Sequence, residues 1–173
     1  SSGIGRACAE SWARRAARLV LAGRDGERLG DTANQVRSLG GEAIEVRGDL
    51  THPEACRNLI QAAVEHYGRL DVLVCNAGVG LYGAVAQLDA DQLAAVLMLN
   101  TVTPVRLVQL ALPHLSAARG SIVLVSSVAG VVTLPRMGGY AASKFALEAL
   151  ADTLRAELAA ERVPVHLLVA RPG

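Results

Sequence analysis

Lysine is almost missing from this chain. Among 173 residues only Lys144 is a lysine, against sixteen arginines. Arginine supplies positive charge everywhere else, so the one lysine marks a place where a wide guanidinium fork would be a poor substitute for a compact ammonium. Aromatic residues are also scarce, five in all, and the core is expected to be built from Ala, Val and Leu. Cys8, Cys56 and Cys75 are odd in number, far apart and in no C-x-x-C spacing, which implies neither a disulfide framework nor a zinc site. His52, His66, His114 and His166 are equally scattered, and no metal site is predicted. Neither sign of charge dominates: the net charge is +1, with arginine and acidic residues interspersed. That balance argues against a nucleic-acid partner or a membrane surface. No apolar run reads as long enough to span a membrane and no signal peptide is read at the start, so a reducing, cytoplasmic setting is expected.

What is present is a regular alternation. Strand-like apolar runs are read at Arg18–Ala22, Ala43–Val46, Val72–Cys75, Ser121–Ser126 and Val165–Val169. Helical patterns lie between them at Ile4–Ala17, Gly26–Leu39, Pro53–Tyr67, Asp89–Leu115 and Tyr140–Glu161. Short, nearly continuous apolar strands separated by helices predict an α/β fold, a doubly wound parallel sheet with helices on both faces. His52-Pro53, Gly40-Gly41 and Val163-Pro164 punctuate helix ends, and Pro104 is expected to bend the longest helix just beyond Asn100. Without repeats, linkers or low-complexity segments, residues 1–173 read as one domain.

Two local patterns carry chemistry. In Tyr140-Ala141-Ala142-Ser143-Lys144 the tyrosine and lysine are four apart, which puts them on one helix face. An ammonium beside a phenol favours the phenolate, so Tyr140 is a candidate acid and base. The chain opens Ser1-Ser2-Gly3-Ile4-Gly5, and glycines just before a helix let the backbone approach a pyrophosphate at the helix N-terminus. A strand normally leads into such a loop. None precedes Ser1, so the chain is expected to be part of a longer polypeptide, incomplete at both ends.

Taken together, the motifs resemble the short-chain dehydrogenase/reductase family, the form with a Tyr-x-x-x-Lys active site and a Rossmann fold. Ser2-Gly3-Ile4-Gly5 resembles the end of the family's glycine-rich loop, and Asp49-Leu50-Thr51 the motif whose Asp faces the adenine. Cys75-Asn76-Ala77-Gly78 resembles N-N-A-G, with Cys replacing the first Asn. Asn100 falls where the family carries its catalytic Asn. Ser127 lies at the family's Ser-to-Tyr spacing and Ser126 one residue off it, while Pro172-Gly173 resembles the turn beside the nicotinamide.

The resemblance implies an NAD(P)-dependent enzyme interconverting a carbonyl and an alcohol. Ser127 would orient the substrate oxygen, Tyr140 would exchange the proton, Lys144 would favour the phenolate and bond the nicotinamide ribose, and Asn100 would hold a water. Ser127 as a backbone-tied hydroxyl and Asn100 as the closure of a helix kink are the plain structural alternatives. Cofactor contacts are expected from Ser2, Gly3, Ile4, Gly5, Arg24, Asp49, Leu50, Asn76, Ala77, Gly78, Tyr140, Lys144, Pro172 and Gly173. Gly23 at the end of the Arg18–Ala22 strand, followed by Arg24, favours NADP(H). Asp25 leaves NAD(H) as the alternative, because a small shift in the turn would aim it at the ribose. Val131, Val132, Leu134 and Met137 between Ser127 and Tyr140 favour an apolar small-molecule substrate. Leu147, Leu150, Leu154 and Leu158, with the Asp89–Leu115 helix, are expected to build a homodimer or homotetramer. A nucleotide-binding scaffold without turnover and a sugar-nucleotide epimerase or dehydratase are the competing readings.

Overall fold

The computed structural model describes residues 3–173, and Ser1 and Ser2, both named above, lie outside them. The chain divides after Arg69 into two compact units. In the first, helix α1 (Gly3–Ala13) leads to strand β1 (Arg18–Gly23), helix α2 (Gly26–Ser38), strand β2 (Glu42–Arg47) and helix α3 (Pro53–Tyr67). The two strands are parallel, in register from Arg18 opposite Glu42 to Gly23 opposite Arg47. Their core is built from small residues, as the shortage of aromatics implies: Ala9, Ala13, Ala33, Val36 and Ala43, with Leu19, Leu21 and Leu39 against them.

Helix α1 ends four residues before the predicted Ala17. Ala16 adopts a left-handed backbone, at φ 55°, which stops the helix and turns the chain into β1. Gly41 is required by packing, since a Cβ there would sit 2.9 Å from the Cα of Ala13. Pro53 opens α3 at its first turn, where its missing N–H costs nothing, and Gly68 closes it at φ 71°.

The second unit contains strand β3 (Val72–Cys75), helix α4 (Ala90–Leu97), a π-turn (Met98–Val102), helix α5 (Thr103–Ala118), strand β4 (Ser121–Val125), helix α6 (Gly138–Ala160) and strand β5 (His166–Ala170). The order is β3-β4-β5, all parallel, with β4 in the middle. Ile122 and Leu124 of β4 pack in a core with Leu107, Ala111 and Leu115 of α5 and Leu147 and Ala151 of α6, all buried. The predicted Asp89–Leu115 helix is interrupted at the π-turn, where Thr103 donates to the carbonyl of Met98 five residues back. Pro104 has no N–H for the carbonyl of Asn100, so the regular ladder is already broken at this point.

One expectation needs correction. The run Ala90–Ala118 is 29 residues long and contains an 18-residue stretch of mean hydropathy 1.5, enough by length and composition to cross a membrane. Its buried residues, including Val96, Asn100, Thr103, Leu107 and Leu115, are spent on the unit's own core.

The start of β4 is set by Gly120, whose amide donates to Leu115 O while Ser121 donates to Asp71 O. A Cβ on Gly120 would overlap the Asp71 carbonyl and press on Leu115. Gly120→Ala is expected to destabilise by about 1–3 kcal/mol through overpacking at the entry to β3 and β4. A urea or thermal melt checks this, and an unchanged midpoint would refute it.

Candidate active site

In the second unit, Lys144 is buried, 4% exposed, although lysine is rarely so. Its Nζ donates to the Val125 carbonyl at 2.8 Å, pinning α6 to the end of β4. Tyr140 lies one turn earlier on the same face, with the Lys144 Nζ 5.8 Å from its ring centroid. Burial pushes the Lys144 ammonium below its ordinary value, and the Glu148 carboxylate one turn onward partly restores it. The i,i+4 face predicted for Tyr140 and Lys144 is therefore the geometry observed.

Ser127 follows directly on the strand that anchors Lys144. It caps a short 3-10 turn (Val128–Gly130): its Oγ accepts from the Ala129 amide at 3.1 Å and lies 3.5 Å from the carbonyl of Pro172. That carbonyl also accepts from the Val128 amide at 3.1 Å. Ser127 is half-buried, whereas the neighbouring Ser126 is 2% exposed and turned inward, which separates the two serines.

Asn100 is 1% exposed, inside the π-turn. Its Oδ1 accepts from the Val79 amide at 2.9 Å, and its Nδ2 donates to Val79 O at 2.8 Å and to Ser143 Oγ at 3.0 Å. The amide thus clamps the loop after β3 onto the first third of α6, a wider role than the closure of a helix kink. Asn76, Ala77 and Gly78 begin that loop. A Cβ on Gly78 would lie 3.1 Å from Asn100 Oδ1 and 3.6 Å from Lys144 Nζ, so glycine lets the backbone come close to both. Cys75 is buried at the end of β3.

Three features are not apparent from the sequence patterns. Tyr82 stands beside Tyr140, ring centroids 6.0 Å apart, on a loop held by Gly83 N to Arg136 O and Tyr140 N to Leu81 O. Glu148, one turn past Lys144, is buried and forms a two-pronged ion pair with Arg171. The i,i+4 step from Lys144 to Glu148 is a visible signal, but nothing in the sequence links it to Arg171. The third is Arg47, in the first unit. It is the register partner of Gly23, and its Nε donates to Arg24 O at 3.2 Å.

The first unit carries the other candidate residues. Gly3 begins α1 in a left-handed backbone, φ 53°, with no other described residue outside its chain neighbours within 4 Å of where a Cβ would stand. Ile4 is exposed and Gly5 half-buried in the first turn. Arg24 is exposed at the end of β1. Asp25 is engaged with its own helix: it caps α2 by accepting from the Arg28 amide at 3.1 Å and pairs with the Arg28 side chain. Asp49 accepts from the Thr51 amide and hydroxyl; these bonds hold it below its ordinary value against burial, with smaller help from Arg24 and His52. Leu50 follows, its carbonyl accepting from the Cys56 thiol.

Each unit holds residues suited to one part of a nicotinamide dinucleotide. In the first unit α1 opens on a glycine, and cationic Arg24 and Arg47 lie at the paired ends of β1 and β2. A tyrosine stands beside a buried lysine. Similar proteins carry such a cofactor. A solved metagenomic short-chain oxidoreductase in complex with NADP is 33% identical, with a TM-score of 0.92 over 99% of this chain and 78% of that one. A short chain dehydrogenase/reductase from Burkholderia phymatum in complex with NAD is 34% identical, with a TM-score of 0.93 over 96% and 60%. Among curated proteins, 11-beta-hydroxysteroid dehydrogenase 1A of Arabidopsis thaliana is 38% identical over all of this chain and 49% of its own length. The chain spans about half the length of the curated relatives it matches. The family model for short chain dehydrogenases matches residues 1–173, and with the fold and these relatives it shows that the chain belongs to the short-chain dehydrogenase family.

Proposed function

We propose that this chain forms the cofactor-binding and catalytic part of an NADP(H)-dependent enzyme that interconverts an apolar ketone and its alcohol. The observation that carries the proposal is Lys144: a buried ammonium fixed on Val125 O, one helical turn from Tyr140 and next to the strand end that presents Ser127. The Ser127 hydroxyl donates to the substrate oxygen and fixes its direction. The Tyr140 phenol gives that oxygen its proton in reduction and takes it back in oxidation. The Lys144 cation stabilises the phenolate between the two. The nicotinamide, when bound, supplies or accepts the hydride. Asn100 acts by holding the Val79 loop and Ser143, and through them the wall beside Lys144.

Residues of the first unit account for cofactor choice. Gly3, Ile4 and Gly5 offer backbone amides at a helix start to a pyrophosphate, and Asp49 and Leu50 face the adenine. Asp25 is committed to capping α2, so the acidic group that would select NAD(H) is engaged elsewhere. Arg24, with Arg47 behind it, suits a 2′-phosphate. In the second unit Asn76, Ala77, Gly78, Pro172 and Gly173 contribute backbone to the nicotinamide end. Substrate polarity follows from the exposed apolar side chains of Val131, Val132, Leu134, Tyr82 and Val85 on the segments flanking Tyr140.

Assembly through α4–α5 and α6 remains part of the proposal, with a changed set of residues. Leu147 and Leu158 are buried within the unit, so exposed Phe145 and Leu150 and half-buried Leu154 on α6 are the large apolar side chains offered to a second copy. Light scattering of the full-length protein at micromolar concentration is expected to give a dimer or tetramer, and a monomer would count against it.

Tyr140→Phe keeps the ring and removes the hydroxyl. It is expected to lower kcat at least about 100-fold while NADPH still binds. Lys144→Arg is expected to fail comparably, since a five-donor fork does not fit the single carbonyl at Val125. Near-normal ketone reduction by Tyr140→Phe, followed as NADPH absorbance, would remove it as the acid. Loss of one charge-assisted contact in Arg24→Ala should cut kcat/KM for NADPH about 10- to 100-fold and leave NADH use largely unchanged. A wild-type preference for NADH would overturn the cofactor assignment.

A further inference from the structure

We infer that Glu148 and Arg171 form a brace that positions Ser127 and the Pro172–Gly173 turn, a role that rests on the carbonyl–alcohol chemistry proposed above. Glu148 lies on α6 one turn past Lys144, and its carboxylate is 8% exposed. A carboxylate that deep is unfavourable unless paired and hydrogen-bonded. Its partner is Arg171: Nε reaches Oε1 at 2.9 Å and Nη2 reaches Oε2 at 2.7 Å, a fork-to-fork pair that fixes direction as well as distance. Arg171 stands between the last residue of β5 and Pro172. The pair therefore ties the helix bearing Tyr140 and Lys144 to the turn whose Pro172 carbonyl accepts from Val128 N and lies against Ser127 Oγ.

Packing around the brace is tight. A Cβ on Gly130 would meet Ser126 Oγ at 2.7 Å, the Glu148 Cγ at 3.1 Å and Lys144 O at 3.2 Å, so the 3-10 turn after Ser127 is pressed onto α6 at this point. Among the described residues Ser126 Oγ is buried there with no hydrogen-bond partner, and Arg171 makes both hydrogen bonds to the Glu148 carboxylate. Burial pushes the Glu148 carboxyl up; the Arg171 bond, the nearby Ser126 hydroxyl and the Arg171 charge outweigh this and Asp152, and hold it ionised below its ordinary value. A structural ion pair alone could be replaced by well-packed apolar residues without loss. A positioning brace could not, because its directional contact to the turn would vanish.

The test compares Glu148→Gln with the double variant Glu148→Leu/Arg171→Met in the full-length protein. It reads the thermal midpoint, the hydrogen exchange of the Val128 amide, and kcat and KM for an apolar ketone with NADPH. The double variant is expected to keep a near-native midpoint, to exchange the Val128 amide at least about tenfold faster, and to lose about 10- to 100-fold in kcat with KM for the ketone changed less. Glu148→Gln should show the same signs, and Arg171→Lys, which keeps one contact, should recover part of both readouts. A folded double variant with native Val128 protection and native kcat overturns the brace. If Glu148→Gln does not fold, the double variant decides. If the wild type reduces no ketone at all, the proposed reaction fails by itself, while Val128 protection still tells whether the brace holds the turn.

Discussion

The second unit depends on a hydrogen bond from an ammonium to a main-chain carbonyl. Lys144 Nζ on Val125 O joins the first third of α6 to the end of β4, and almost everything that matters chemically is measured from that joint. Tyr140 is one turn away on the helix, Ser127 two residues along the chain from Val125, and Gly78 close enough to touch the ammonium if it had a side chain. Burying a lysine is costly, and one carbonyl with a carboxylate at a distance is modest compensation. An arginine there would bring five donors into a place that offers few acceptors. That disparity explains why a chain so rich in arginine holds a lysine here.

Local spacing is legible in the sequence. Tyr140 and Lys144 share a helix face because four residues make about one turn, and the strand-helix alternation follows from hydrophobic runs that need no partner to be read. Contacts between distant parts of the chain are not legible in this way. Asn100 has its amide partners 21 and 43 residues away, and Glu148 finds Arg171 at 23. No periodicity records such meetings, since they depend on how elements pack. Helix ends differ from expectation where backbone geometry overrides composition, as at Ala16, whose side chain gives no hint of a left-handed stop.

Asp25 shows a different limit. An aspartate just after a strand and before a helix suits two tasks, capping the helix or bonding a ribose, and its chemistry is the same in both. Its position in the chain leaves the choice open. The carboxylate is turned to the Arg28 amide and side chain. A residue type that serves both local folding and recognition is where reading from sequence alone is weakest, because either demand explains its presence.

The π-turn at Met98–Val102 has a consequence for the phase of the whole α4–α5 run. One added residue in a helix rotates all that follows by about 100° relative to all that precedes. No single 3.6-residue stripe can therefore be laid over Ala90–Ala118; the two halves keep separate phases that meet at the turn. At that seam two consecutive side chains can face the same way, which a regular helix forbids. Asn100 reaches Ser143 Oγ and Thr101 reaches Ser143 O, so both oxygens of one residue on α6 are met from adjacent positions. The irregularity is a means of doubling the grip on α6 at one point, obtained by slipping the helix a single residue out of step with itself.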